Sequence, residues 1–126
     1  HGYTYSAHPT ACAAGLATLE IYRREALFER AKVIAPWWED LAHSRLTVLP
    51  HVVDVRNCGL IAGVEFAPVP GKPGARGFEV FLKCFERDVL VRASGDVIAL
   101  SPPLIIEKPQ AEKLFDTLAA AIRTLG

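Results

Sequence analysis

Val52-Val53-Asp54-Val55-Arg56-Asn57-Cys58-Gly59-Leu60-Ile61-Ala62-Gly63-Val64-Glu65-Phe66 decides the fold class of this chain. Val52–Arg56 is rich in β-branched residues and reads as a short strand. Asn57-Cys58-Gly59 reads as a turn or bulge, and Leu60–Phe66 as a second, strongly apolar strand. Two strands joined so closely by a Gly-containing turn form an antiparallel pair. Gly63, inside the second strand, marks a bulge or a close approach of neighbouring groups.

Helical periodicity flanks this pair. On the N-terminal side, residues 9 to about 24 read as a helix with a stripe of small residues, Ala11, Ala14, Gly15 and Thr18. The apolar pattern resumes at Leu27, Phe28, Ala31, Ile34, Ala35, Trp38, Leu41 and Ala42, and Pro36 within it should kink or restart the helix. Arg23, Arg24, Glu25, Glu29, Arg30 and Lys32 read as a solvated face, and Trp37 and Trp38 as core or interface. On the C-terminal side, Pro68 to Gly77 is a surface loop whose Lys72 and Arg76 read as solvated charges. A helix follows from Phe78 to Asp88, with Phe78, Phe81, Leu82 and Phe85 on one face. Val89–Arg92 reads as a third strand, Ser94-Gly95-Asp96 as a turn and Val97–Leu100 as a fourth strand, ended by Pro102-Pro103. The last helix opens at Glu107-Lys108-Pro109 and turns Leu114, Leu118 and Ile122 inward. The class is α+β: a mostly antiparallel sheet of about four strands covered by helices.

Composition narrows the function classes. The 126 residues suffice for one core, and the 51% hydrophobic content places the chain among folding sequences with some apolar surface to spare. Fourteen basic residues balance fourteen acidic ones, which argues against a nucleic-acid footprint. No apolar run approaches the ~20 residues of a membrane span. Cys12, Cys58 and Cys84 are an odd, widely spaced set, which favours free thiols, each a small core residue, in a reducing cytoplasm. A chain opening on His1 rather than Met reads as a piece of a longer product.

No complete catalytic set is visible. The four histidines lack metal-ligand spacing, the carboxylates are scattered, and no nucleophile elbow or nucleotide-binding glycine loop occurs. Two places carry potential chemistry. His1-Gly2-Tyr3-Thr4-Tyr5-Ser6-Ala7-His8-Pro9 is a hydroxyl-rich loop running into a helix, either a capped helix start or an anion site, with His8 capping the helix or packing locally. Arg92 ends an apolar stretch before a polar turn. Its planar guanidinium suits a carboxylate in two-point contact or a structural ion pair with Asp96 or Glu65, and both readings stand on chemistry alone.

Residues 1–9, Arg56-Asn57-Cys58-Gly59-Leu60-Ile61-Ala62-Gly63-Val64-Glu65 and Ser101-Pro102-Pro103-Leu104-Ile105-Ile106 together resemble the C-terminal small domain of class III pyridoxal-phosphate aminotransferases. The likeness is strongest to the branch acting on ω-amino acids such as β-alanine with pyruvate. It covers the whole chain and departs at Ala7, where the family has Gly. The resemblance implies residues 1–126 as one small domain of a fold-type I enzyme, with 1–45 an interface loop and long helical segment leading into it. It implies that Arg92 binds the substrate carboxylate, and that Thr4, with Tyr3, contacts the cofactor phosphate in the neighbouring subunit's site. The cofactor would be pyridoxal 5'-phosphate, held by the full dimer and not by this piece alone. The partners implied are an amino-acid or amine donor, pyruvate, the parent's large domain and a second subunit in a homodimer or homotetramer. None of Lys32, Lys72, Lys83, Lys108 and Lys113 matches the family's catalytic lysine, so no catalytic residue is expected here and the piece alone should be inactive. The rival expectation is a free-standing α+β binding or assembly module, supported by the apolar excess and an exposed Trp pair.

Overall fold

The computed structural model describes residues 2–126; His1, the first residue of the N-terminal motif, lies outside them. Helices α1 (Pro9–Arg24) and α2 (Leu27–Leu46) come first, then strands β1 (Val52–Cys58) and β2 (Ile61–Phe66). Helix α3 (Ala75–Phe85), strands β3 (Arg92–Ser94) and β4 (Val97–Leu100) and helix α4 (Lys108–Ile122) complete the order. The strands form one antiparallel sheet in the order β1-β2-β4-β3. Val55, Ala62, Val64, Phe66, Ile98 and Leu100 point to one face and are buried against α2, α3 and α4. Trp38 and Phe115 meet there with ring centroids 4.8 Å apart.

The α+β expectation holds, and so do the antiparallel pair and both outer helices. Pro36 neither ends nor restarts α2. It is exposed, while Ile34 and Trp38 on either side are seated in the core and carry the helix across the missing hydrogen bond. β1 runs on through Asn57 and Cys58, and the turn is Gly59-Leu60, with Gly59 at φ +58°. The irregularity in the ladder falls between Val52 and Asp54, not at Gly63.

Two elements are shifted. α3 starts at Ala75, three residues earlier than expected, and buries Gly77, Val80 and Cys84. The expected aromatic face exists but is open: Phe78 and Phe85 are exposed, with Phe81 stacked between them at 6.0 and 6.2 Å. The third strand is Arg92–Ser94, not Val89–Arg92. Val89 and Val91 are buried outside any ladder, with the Val89 N–H donating to the Cys84 carbonyl at 3.0 Å, so their alternation records burial and not a strand. β4 has four residues before the Pro102-Pro103 stop, and β3 pairs with three of them, Val97 to Ala99.

Several side chains also depart from expectation. Trp38 is fully buried and Trp37 half-buried, so the Trp pair is not exposed. Cys84 is a core residue, but Cys12 and Cys58 are exposed free thiols. Arg30 is no solvated charge: its Nε donates to the Leu104 carbonyl at 3.2 Å, and its Nη2 to those of Ile105 and Ile106 at 3.2 and 2.7 Å. Arg76 likewise bonds the Ala67 and Gly126 carbonyls and is half-buried. α1 buries no residue and packs chiefly on α2.

Candidate functional site

The second face of the sheet carries no helix, and the register decides what stands on it. Arg56, Gly63, Ala99 and Arg92 form one row across all four strands. Asp54, Glu65, Val97 and Ser94 form the next. Strand neighbours lie ~4.8 Å apart, which sets the arginines at the ends of the first row ~14 Å apart at the backbone. Gly63 and Ala99 between them are small. A Cβ on Gly63 would sit 3.6 Å from Arg56 Nε, in ordinary contact, so Arg56 lies directly over Gly63.

Charge on this face is unevenly satisfied. Arg56 Nη1 donates to Asp54 Oδ2 at 2.6 Å and to Glu65 Oε2 at 2.7 Å. Those two bonds, Asp54 first, hold its guanidinium above the ordinary arginine value. Asp96 is engaged elsewhere, accepting a hydrogen bond from the Gly74 N–H at 2.7 Å. Glu65 and Asp96, the two acids expected to pair with Arg92, are thus each bonded to another group. Among the described residues, exposed Arg92 has no hydrogen-bond or ion-pair partner. It stands at the rim of an open groove of about 1250 Å³ lined by Phe78, Phe81, Leu90, Ile105 and Lys113.

Sequence reasoning singled out Arg92 but not the Asp54–Arg56–Glu65 cluster. Strand alternation does put Asp54 and Arg56 on one face. Adding Glu65 needs the ladder register, which the irregularity at Val53 shifts by one residue.

The N-terminal loop lies elsewhere. The Tyr3 carbonyl accepts from the Ser6 N–H at 3.2 Å and the Tyr5 carbonyl from the His8 N–H at 3.3 Å. This compact turn delivers Pro9 to the first position of α1. His8 is the N-cap residue, yet its side chain makes no capping bond. Thr4 is exposed, and no partner for its hydroxyl is found among the described residues; Tyr3 is 70% exposed. An available hydroxyl ahead of a 16-residue helix is a donor set that fits a phosphate. The groove beside Arg92 includes neither Tyr3 nor Thr4, so one copy of the chain does not gather the three residues into one pocket.

None of the five lysines is buried. Lys32, Lys72, Lys108 and Lys113 are exposed, and Lys83 donates to Glu79 at 2.5 Å and to the Thr124 carbonyl at 2.9 Å. Burial pushes the Cys84 thiol up to about 11, with a smaller opposing pull from Arg87. Among the described residues no three His, Cys, Asp or Glu groups cluster as for a metal ion, and no helix is long and apolar enough to cross a membrane.

Known proteins match this arrangement along its whole length. A sequence profile of class-III aminotransferases matches residues 1–122. The chain is 58% identical over 126 residues to an ω-aminotransferase of Caulobacter vibrioides, and 40% identical over 126 residues to a β-alanine–pyruvate aminotransferase of Pseudomonas aeruginosa. Each match takes in 100% of this chain and 28% of the relative, so the chain spans about a quarter of their length. An amine transaminase from an uncultivated Pseudomonas species, solved in its PLP-bound form, superposes with a TM-score of 0.87 at 32% identity over 100% of this chain and 30% of that one. A transaminase solved with L-alanine gives a TM-score of 0.87 at 34% identity over 97% of this chain and 30% of that one. Profile, sequence and fold agree over nearly the whole length: the chain belongs to the class-III aminotransferase family.

Proposed function

We propose that residues 1–126 are the C-terminal small domain of an aminotransferase that moves an amino group from an ω-amino acid or amine to pyruvate. Within it, Arg92 binds the carboxylate of the acceptor. The observation that carries this reading is the uneven charge on the open sheet face. Arg56 is neutralised by two acids, whereas Arg92, on the same row, keeps its charge beside an apolar groove. A guanidinium so placed offers two parallel N–H donors to a carboxylate, while the groove accepts an apolar body.

Thr4, with Tyr3, is proposed as a phosphate contact for pyridoxal phosphate bound in a neighbouring subunit of a homodimer or homotetramer. The separation of this loop from the groove favours that division of labour. When bound, the cofactor supplies the electron sink for amino-group transfer. The lysine that bonds it is assigned to a large domain, because no lysine here has the buried, unpaired setting such chemistry needs. The isolated chain is accordingly proposed to be inactive, and the working enzyme to be cytoplasmic.

Magnitude sets the test. An exposed carboxylate pair contributes only about 0.2–1 kcal/mol, whereas a covered, hydrogen-bonded one contributes about 2–5 kcal/mol. If the rest of the enzyme covers Arg92, Arg92→Ala in the full-length protein lowers kcat/KM for pyruvate by roughly 30- to 5000-fold. With a neutral aldehyde acceptor the loss stays below about threefold. Equal losses with both acceptors would remove the carboxylate role.

A further inference from the structure

We propose that Asp96 is a positioning residue for Arg92. By fastening the β3–β4 hairpin to α3 and β2, it sets where the guanidinium stands, and with it the preference for carboxylate-bearing over neutral acceptors. This inference rests on the role proposed above for Arg92.

β3 is an edge strand of three residues, and its ladder partners are all on β4. Three register pairs hold such a strand weakly, so something else has to fix it. The turn Gly95-Asp96 supplies that hold in three directions. Asp96 Oδ2 accepts from the Gly74 N–H at 2.7 Å, at the start of α3. The Asp96 carbonyl accepts from the Phe66 N–H at 2.8 Å, at the end of β2. Gly77 lies so close to the turn that a Cβ there would be 2.2 Å from the Gly95 carbonyl oxygen. Gly74, at φ +80°, brings its N–H to the carboxylate in a conformation that suits glycine.

Asp96 therefore joins α3, β2 and the hairpin two residues beyond the end of the Ala93–Ser94 arm that carries Arg92. Ala93 is half-buried against the core while Arg92 is exposed. Ile98 and Leu100 anchor β4 in the core, so a shift of the β3 edge against β4 and α3 moves the Arg92 Cα along the rim of the groove while the core stays closed. The second carboxylate oxygen, Oδ1, is buried and has no partner among the described residues. An asparagine can keep the bond to Gly74 through its carbonyl and set its amide at that idle position, which makes Asp96→Asn the conservative control.

The test uses the full-length enzyme, with pyruvate and a neutral aldehyde as acceptors for one amine donor. Asp96→Ala raises KM for pyruvate about tenfold, with kcat and the aldehyde KM changed less than about twofold; Asp96→Asn returns the pyruvate KM to within about twofold of wild type. If Asp96→Ala does not fold, Asp96→Glu displaces the turn by one methylene and gives the same acceptor-selective rise. A rise shared by both acceptors, no rise at all, or an Asn variant as impaired as the Ala variant would each overturn the positioning role. Arg92→Ala, assayed in parallel, separates the two ideas. A pyruvate-selective loss at Arg92 with none at Asp96 removes only the positioning role, and a non-selective loss at Arg92 removes the carboxylate role and the positioning role with it.

Discussion

Ala7 holds φ +59°, the left-handed region where a Cβ is crowded and glycine is at ease. The relief available is the cost of that Cβ, so Ala7→Gly should stabilise the folded turn by about 1 kcal/mol. Amide hydrogen exchange at Ser6 and His8, whose N–H groups close the turn, measures it, and unchanged or lower protection would show the turn to be unstrained. Cys84 gives a pH signature. Its thiol is raised to about 11 in the fold from an ordinary value of 9.0. The folded state thus keeps a proton that the unfolded state releases. This contribution is whole below pH 9 and is lost as pH rises to about 11, at a limiting slope of about 1.4 kcal/mol per pH unit. Unfolding measured from pH 8 to 11 should show that decline, and Cys84→Ala should flatten it. Ala7 was visible in the sequence as a departure from a glycine position. Its cost depends on the backbone angle, which only the fold supplies.

Elements were legible where their residues serve one purpose. α1, α2 and α4 show helical periodicity, and in α4 the Gln110 Oε1 accepting from the Glu107 N–H at 2.9 Å marks the start that Glu107-Lys108-Pro109 announced. α3 misled because Phe78 and Phe81 line an open groove and Phe85 is exposed, while small Gly77 and Cys84 face the core. β3 misled because Val89 and Val91 are buried without a partner strand. The Arg56 cluster and the Asp96 junction were illegible because their partners are brought together by register and turn, 9 and 22 residues apart. Arg30 belongs with them: it ties α2 to the segment before α4 through three carbonyls. Hydrogen bonds from a charged donor contribute about 1.5–3 kcal/mol where buried, and this clasp is partly exposed, so Arg30→Ala should cost about 2 kcal/mol. Arg30→Lys should recover less than half, since an ammonium cannot span three carbonyls in one plane. Full recovery by Lys in equilibrium unfolding would reduce the clasp to a charge effect.

At the scale of the molecule, the cohesive body runs from α2 to α4, and α1 stands outside it. The core cluster extends from Ile34 to Leu125, and α1 contributes no buried residue. Burial is the main stabilising term, so a helix that buries nothing adds little to the body's stability. Removing residues 1–24 should leave the free energy of unfolding within about 1 kcal/mol; a loss of several kcal/mol would mean that α1 closes the core after all. The Arg30 clasp has a different consequence, in time. It joins residues 74 to 76 positions apart, closing a long loop whose entropy is lost before the contact rewards it. The β1–β2 hairpin, by contrast, closes over two residues and can form locally. The clasp should therefore lock last: Arg30→Ala speeds the unfolding limb of a chevron and leaves the refolding limb in place, and slowed refolding would put the clasp in the nucleus instead. Arg30 is thus less a brick in the fold than its latch, governing how long the native state survives once formed.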